Sequence, residues 1–161
     1  MSIIDDEGVS NTSGNDHFQD IVNARLSRRG FLTGGLATAA VLSSRGYPVA
    51  LYNRSPERID PILKHDSQIE TEGDFGEKTI RIPVVTTDIA EAMQDAQLIL
   101  IPVPGYGQMP MLDTALPYLK PGQTILFLTG SAGSLEAALR MKAAGHSLDD
   151  ILLGETVTLP Q

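Results

Sequence analysis

The sequence predicts an α/β fold in which helices cover both faces of a doubly wound parallel sheet. Short, continuous apolar runs such as "QLILIPVP" and "PGQTILFLTG" are typical of strands that are buried on both faces. From Thr33 onward these runs alternate with segments that carry helix caps and stops. The 161 residues are also enough for one domain with a real core.

The first half of this pattern predicts helix, strand, helix and two further strands. The Ala-rich "TGGLATAAVLSSRG" predicts a helix that stops at Gly46, and "YPVALYN" predicts a short buried strand. "SPERIDPILK" predicts a helix capped by Ser55, with Pro56 at its first position. "SQIETEGDFGEKTIRIPVVTT" alternates, which predicts two short strands around a turn.

The second half repeats the alternation. In "DIAEAMQDA", Asp88 caps a helix and Glu91 completes a capping-box pattern. "QLILIPVP" predicts a strand, and "YGQMPMLDTALPYL" predicts a helix that Pro110 interrupts. After the strand in "PGQTILFLTG", "SLEAALRMKAAG" predicts a helix ending at Gly145, and "ILLGETVTLP" predicts the last strand.

Composition and charge narrow the function classes. The net charge of −8 argues against nonspecific nucleic-acid binding, because no large basic patch is available for phosphates. The absence of Cys excludes disulfides and thiol chemistry. The three histidines, His17, His65 and His146, lie far apart without metal-ligand spacing. No apolar run reaches the roughly 18 residues that a transmembrane helix needs.

The glycine-rich segment "GFLTGG" predicts a phosphate-binding turn that is incomplete. Gly30 and Gly35 fit the first and third glycines of G-x-G-x-x-G, but Leu32 stands where the second belongs. The preceding "DIVNARLSRR" is a poor central strand. We therefore expect a Rossmann-like sheet with an incomplete first strand and glycine turn, in which Gly30, Gly34 and Gly35 contact the cofactor.

The strand in "LYNRS" ends where a dinucleotide fold places the residue that reads the ribose. Asn53 is neutral and Arg54 follows it, a pair that suits the 2′-phosphate of NADP better than the 2′-hydroxyl of NAD. We therefore predict Asn53, Arg54 and Ser55 as cofactor-binding residues, with NADP favoured slightly over NAD. The alternative is that Asn53 and Ser55 only form the turn and the helix cap.

Two further loops follow buried strands and are candidates for the ligand edge of the sheet. "PVPGYGQ" contributes Pro104, and "TGSAGSLEAA" contributes Gly130. Ligands of open α/β sheets bind outside the carboxyl ends of the strands, where such loops lie. The alternative for each loop is a plain turn between strand and helix.

Residues 34–160 resemble the cofactor domain of the octopine/nopaline (opine) dehydrogenase family, which is related to the NAD(P)-binding domain of glycerol-3-phosphate dehydrogenases. The resemblance rests on four stretches in the same order: "GGLATAAVLSSRGYPVALYNRSPERI", "VTTDIAEAMQDAQLILIPVPGYGQ", "LPYLKPGQTILFLTGSAGSLEAA" and "ILLGETVTLP". It implies NAD(P)H-dependent reductive condensation of an α-keto acid with an amino acid. It also implies catalytic His and Asp residues in a C-terminal helical domain that this sequence does not include, so no catalytic residue is assigned.

The beginning of the chain departs from that family. Residues 1–17 are polar and acidic, which predicts a disordered leader. Residues 1–33 resemble the leader of secreted bacterial alkaline phosphatases exported by the twin-arginine pathway, with S-R-R-x-F-L in the segment 18–33. The stretch "GGLATAA" fits both an export signal and the first helix of a dinucleotide fold. We expect the helix in the folded chain.

These observations predict a leader (1–17), a twin-arginine-like segment (18–33) and a Rossmann-like NAD(P)-binding domain (34–161). The expected function is the cofactor domain of an opine-dehydrogenase-like oxidoreductase, inactive alone. The alternatives are an exported noncatalytic remnant and a cofactor or assembly module for a separate catalytic chain. Expected partners are a dinucleotide and a separate substrate domain or a second copy, without metal, nucleic acid or a membrane span. The expected location is the cytoplasm, or outside it if the leader exports the chain.

Overall fold

The computed structural model describes residues 33–71, 77–128, 130 and 132–157. The helices are α1 (Thr33–Ser44), α2 (Pro56–Lys64), α3 (Ile89–Met93), α4 (Gly105–Ala115) and α5 (Gly133–Ala143), and a 3-10 turn spans Leu116–Tyr118. The strands are β1 (Ala50–Tyr52), β2 (Gln68–Thr71), β3 (Lys78–Arg81), β4 (Val84–Thr86), β5 (Leu98–Ile101), β6 (Thr124–Phe127) and β7 (Leu152–Glu155). From Gly34 onward these elements belong to one compact unit.

Parallel pairing dominates the strands, which confirms the predicted α/β class. β1 pairs with β4 in parallel, and β5, β6 and β7 form a parallel three-stranded sheet in that order. β2 and β3 form an antiparallel pair, the two strands around a turn that the alternating segment predicted. The same segment also contains β4, a third strand that the sequence pattern did not separate from them. Within the described ranges β1 does not pair with β5, so the parallel strands form two groups, β1–β4 and β5–β6–β7. The strand predicted to be incomplete would precede α1, and that segment lies outside the described residues.

Helix ends follow the local signals in most places. Gly46 and Gly145 adopt positive φ angles of 84° and 87°, which is the conformation that stops α1 and α5. The Asp88 carboxylate accepts a hydrogen bond from the backbone N–H of Ala90 (2.9 Å), as a cap should. The capping box does not close, because the backbone N–H of Asp88 donates to Oγ1 of Thr86 instead of to Glu91.

Two predictions about helices were wrong in detail. The hydroxyl of Ser55 makes no capping hydrogen bond to α2. Pro110 does not interrupt a helix, because α4 continues through it. Pro110 is exposed and lies only one turn inside α4, so the missing donor leaves just the Tyr106 carbonyl without its helical partner.

The main core lies on one face of the β5–β6–β7 sheet, where α4 and α5 cover it. Ile125 and Phe127 of β6 are fully buried there against Leu112 of α4 and Met141 of α5. Outside the core, Arg140 of α5 binds Asp113 of α4 (2.6 Å) and Glu136 one turn back (2.9 Å). The hydrogen bond to Glu136, followed by that to Asp113, raises the pKa of the Arg140 guanidinium. The two covering helices are thereby tied to each other as well as to the sheet.

None of the helices in the described ranges combines the length and the apolar character that a membrane span requires.

Candidate functional site

The first turn of α1 lies directly against the end of β5. A Cβ on Gly34 would lie 2.9 Å from the carbonyl oxygen of Pro102, the residue after β5. A Cβ on Gly35 would meet only ordinary contacts, 3.5 Å from Cγ of Pro102 and 4.0 Å from Cδ1 of Leu51 in β1. The glycine pair therefore lets the helix backbone reach the carboxyl end of a strand. The N–H groups of this turn have no partner within the helix, and they form its positive end.

In the glycine motif, the third glycine allows close contact between helix and strand. The sequence pattern placed this glycine at Gly35, but in the structure Gly34 makes the contact. Gly30 and Leu32, the other positions of that motif, lie outside the described residues. The described part of the turn thus includes the close approach of the Gly34 backbone to the Pro102 carbonyl. The same turn also lies near Leu51 of β1, a strand that pairs with β4 and not with β5.

We expect Gly34→Ala to lower the free energy of unfolding by about 1–3 kcal/mol, because the new methyl group would meet a backbone carbonyl that cannot turn away. Gly35→Ala is the matched control in the same turn. It should be neutral or stabilising by up to about 1 kcal/mol, since Ala is the better helix former and its Cβ has room. Urea unfolding of both variants measures the difference, and equal effects would contradict the contact.

The side-chain oxygen of Asn53, just after β1, is already engaged. Oδ1 of Asn53 accepts the backbone N–H of Ser55 (2.9 Å), and the Asn53 N–H donates to the Thr86 carbonyl (3.2 Å). This is the turn that the sequence allowed as an alternative role. The side-chain NH2 group of Asn53 has no role in this turn, and this group can only donate to a ligand. Arg54, next in the chain, is exposed.

The loop after β5 passes directly into α4. Pro104 is exposed and precedes the helix, and its carbonyl accepts the backbone N–H of Gly107 (2.8 Å). Gly107 has little room for a side chain, because a Cβ there would lie 3.3 Å from Cγ2 of Val103. Tyr106 stands almost fully exposed in the same turn. This loop is therefore closely packed at Gly107 and open to solvent at Tyr106.

The loop after β6 is held by the continuation of β7. A Cβ on Gly130 would lie 2.6 Å from the carbonyl oxygen of Thr156, so only glycine fits there. The backbone N–H of Thr156 donates to the Phe127 carbonyl (2.9 Å), which extends the pairing of β6 and β7 past their ends. The packing against Thr156 thus requires glycine at position 130, whether or not Gly130 also has the predicted role at the ligand edge.

The start of α5 is closed by two contacts with its neighbours. A Cβ on Gly133 would overlap Oε1 of Gln108 in α4, whose side chain is 1% exposed and cannot swing into solvent. The backbone N–H of Ser134 donates to the carboxylate of Glu155 at the end of β7 (3.1 Å). The positive end of α5 therefore faces a carboxylate of the protein itself.

The two described histidines follow helices: His65 comes after α2 and His146 after α5. Nowhere in the described ranges do three His, Asp or Glu side chains come together as metal ligands would.

Comparison with known proteins places this arrangement in a family. The profile described as ketopantoate reductase PanE/ApbA matches residues 34–154, three quarters of the chain. The chain belongs to the ketopantoate reductase PanE/ApbA family. The match begins at Gly34 in the first turn of α1 and ends at Gly154 in β7, so it spans both parallel groups of strands. It confirms the Rossmann-like fold that the sequence predicted.

Two curated relatives are similar to parts of this chain. The glycerol-3-phosphate dehydrogenase (NAD(P)+) 2 of Lactobacillus delbrueckii subsp. bulgaricus is 30% identical over 103 residues, which cover 64% of this chain and 30% of that enzyme. The opine dehydrogenase of Arthrobacter sp. (strain 1C) is 30% identical over 131 residues, which cover 81% of this chain and 36% of that enzyme. The chain thus spans about a third of the length of these relatives. Both similarities agree with the resemblance drawn from the sequence, and the matching family profile is that of ketopantoate reductase.

The contacts that shape this edge of the PanE/ApbA-family chain leave no clear signal in its sequence. Pro102 was not recognised as the partner of Gly34, nor Glu155 as the cap of α5. Gln108 gave no sign in the sequence that its side chain is buried under Gly133. A glycine directly at the start of a helix was the available signal for a tight contact at Gly133. Its partner could not be read from the sequence.

Proposed function

We propose that this chain is the nicotinamide dinucleotide-binding domain of an oxidoreductase. The observation that carries the proposal is the approach of Gly34 to the end of β5, which puts the positive first turn of α1 at the carboxyl end of a parallel strand. Pyrophosphate groups bind at such helix starts in dinucleotide folds. Membership of the ketopantoate reductase PanE/ApbA family and the NAD(P)+ in one relative's name support the same cofactor class.

The proposed contacts follow from this position of the pyrophosphate. The backbone of Gly34 and Gly35 faces the phosphates, and Gly30 is included as a contact on the sequence motif alone. Asn53, Arg54 and Ser55 lie after β1, where the adenosine ribose belongs in such folds. Pro104 and Gly130 line the edge after β5 and β6, toward the nicotinamide. α5 is a poor second phosphate site, because the Glu155 carboxylate already faces its start.

NADP is the proposed preference over NAD. Oδ1 of Asn53 is held by the backbone of Ser55, so the side chain presents a donor to the ligand. A 2′-phosphate only accepts hydrogen bonds, and the neighbouring Arg54 adds a positive charge. An acid at this position would instead accept the hydrogen bonds of a free ribose.

The proposal extends to the reaction that the whole enzyme would catalyse. We propose reductive condensation of a keto acid with an amino acid, as the opine dehydrogenase similarity suggests, with the catalytic side chains on a separate substrate domain. Residues 34–161 then form the cofactor domain, inactive alone. The leader (1–17) and the twin-arginine-like segment (18–33) lie outside the described residues, and export of the chain stays a prediction.

Cofactor titration of the purified chain by calorimetry tests the proposed function. We expect a dissociation constant for NADPH of about 0.1–1 mM, or roughly 4–5.5 kcal/mol of binding free energy, because the sequence has Leu32 where the motif calls for its second glycine. Absence of saturable binding at several millimolar would refute the proposal, and micromolar binding would refute the obstruction by Leu32. The same preparation should show no keto-acid-dependent oxidation of NADPH with any amino acid.

Asn53→Asp should shift the preference from NADPH toward NADH by roughly tenfold, since a carboxylate repels the 2′-phosphate and accepts from the ribose hydroxyl. Gln94→Glu adds the same charge just after α3 and serves as the control. The readout is the ratio of the two dissociation constants. A ratio that is unchanged in Asn53→Asp, or equally changed in both variants, would leave Asn53 as a turn residue only.

A further inference from the structure

β1 and β5 lie on either side of the start of α1 without pairing with each other. A Cβ on Gly35 would lie 3.5 Å from Cγ of Pro102, just after β5, and 4.0 Å from Cδ1 of Leu51 in β1. Most Cα atoms of β1 are nevertheless more than 8 Å from those of β5, whereas paired strands are about 4.8 Å apart. Twice that spacing is about 9.6 Å, so the space between β1 and β5 is about as wide as one strand. We call this space the strand slot.

The backbone of β1 has hydrogen-bonding groups that face the strand slot. The Val49 carbonyl and the Asn53 N–H, at the two ends of β1, both bond to β4. Backbone groups of successive residues in a strand point alternately to its two sides. Ala50 and Tyr52 occupy the alternate positions, so their N–H and C=O groups point away from β4 and toward the slot.

The backbone of β5 forms the opposite wall in the same way. The Gln97 and Ile101 carbonyls accept hydrogen bonds from the β6 side. Leu98 and Leu100 alternate with them, so their N–H and C=O groups face the slot. Among the described residues, no strand pairs with β1 or β5 on this side. We call the N–H groups of Ala50, Tyr52, Leu98 and Leu100 the slot-facing amides.

Two such walls have the chemistry of a site for an added strand. An open strand edge pairs readily with an extended peptide, and proteins usually protect such edges with charged side chains or proline. The sequences of β1 (ALY) and β5 (LILI) contain neither. A strand with neighbours on both sides is normally apolar on both faces. The slot therefore selects an extended apolar segment about as long as β5, which has 4 residues.

The sequence directly before α1 does not have this chemistry. It contains Arg25, Arg28 and Arg29, and charged side chains do not fit a strand that is covered on both faces. We propose that the strand slot binds an extended apolar segment of another polypeptide, which adds to β1 and β5 as a strand between them. The added strand would join the two groups of parallel strands into one sheet beside the first turn of α1.

Amide hydrogen exchange of the full 161-residue chain, followed by NMR, tests the proposal. The probe is a synthetic peptide with the apolar run Val-Ile-Val-Leu-Val between lysine-containing ends. It should slow the exchange of the slot-facing amides by about tenfold or more, because each of them gains a hydrogen bond. The Leu153 N–H is the internal control, since it points away from β6 at the outer side of β7. Its exchange should change less than about twofold.

A matched peptide and two variants separate strand addition from apolar adhesion. The control peptide has N-methyl groups on its Ile and Leu residues, which removes backbone donors and keeps the apolar surface, and it should leave the slot-facing amides unchanged. Leu100→Pro removes one slot-facing amide without breaking the bonds of β5 to β6, and should abolish the effect of the first peptide. Leu100→Ala keeps that amide and should retain the effect. Should Leu100→Pro fail to fold, the two peptides decide the question on the native chain.

Slowing of the slot-facing amides by the first peptide alone supports the proposal. Slot-facing amides that already exchange as slowly as those of Ile99 and Ile101 before any peptide is added would overturn it, because the slot would then be filled. So would no slowing, or equal slowing by the N-methylated peptide or at Leu153. The measurement needs no cofactor, so this inference stands or falls independently of the proposed function.

Discussion

Replacing Phe127 with alanine is expected to lower the free energy of unfolding by about 3–5 kcal/mol, the largest effect of any single substitution considered. The Phe127 ring is fully buried in the core between β6 and the two covering helices. It also lies next to Gly133, since a Cβ on that glycine would be 3.6 Å from Cγ of Phe127. The cavity would therefore loosen the start of α5 together with the core.

Urea unfolding monitored by circular dichroism measures this loss. Leu139→Ala is the control, because Leu139 is exposed on α5 and its truncation should cost less than about 0.5 kcal/mol. A loss below about 1 kcal/mol for Phe127→Ala would mean that the core closes around the missing ring, and that this packing is looser than the burial indicates.

Gly133→Ala is expected to cost about 1–3 kcal/mol of stability, because the new methyl group would overlap the buried amide of Gln108. The cost should depend on that one neighbour. When Gln108→Ala is added, the double variant should be more stable than the sum of the two single effects by about 1–2 kcal/mol.

The double-mutant cycle is measured by chemical denaturation of the four proteins. Additive effects would show that Gly133 is required for a reason other than Gln108. NADPH titration of the same set links the contact to the proposed site, because Gly133 follows the loop containing Gly130. If the proposed site is correct, Gly133→Ala should weaken NADPH binding, and the double variant should restore part of it.

The sequence by itself determined the elements and their order. Gly46 and Gly145 end helices because only a residue without Cβ adopts their positive φ at little cost, and that constraint is local. Asp88 caps α3 for an equally local reason. The apolar runs of β5 and β6 and the intervening helix also implied parallel pairing, since short connections and right-handed crossovers leave few other arrangements.

The tertiary structure decided which residues meet across the ligand edge. Gly34 rather than Gly35 makes the close contact with Pro102, and only the packing of α1 against the end of β5 decides between them. The same is true of Glu155 at the start of α5, of Gln108 beneath Gly133, and of the uneven burial of Leu98 and Ile101 at the two ends of β5. Periodicity specifies that a side chain faces one side of a helix or strand. What it finds there is set by residues distant in the chain, because packing and hydrogen bonding act between atoms that only the folded backbone brings within a few ångströms.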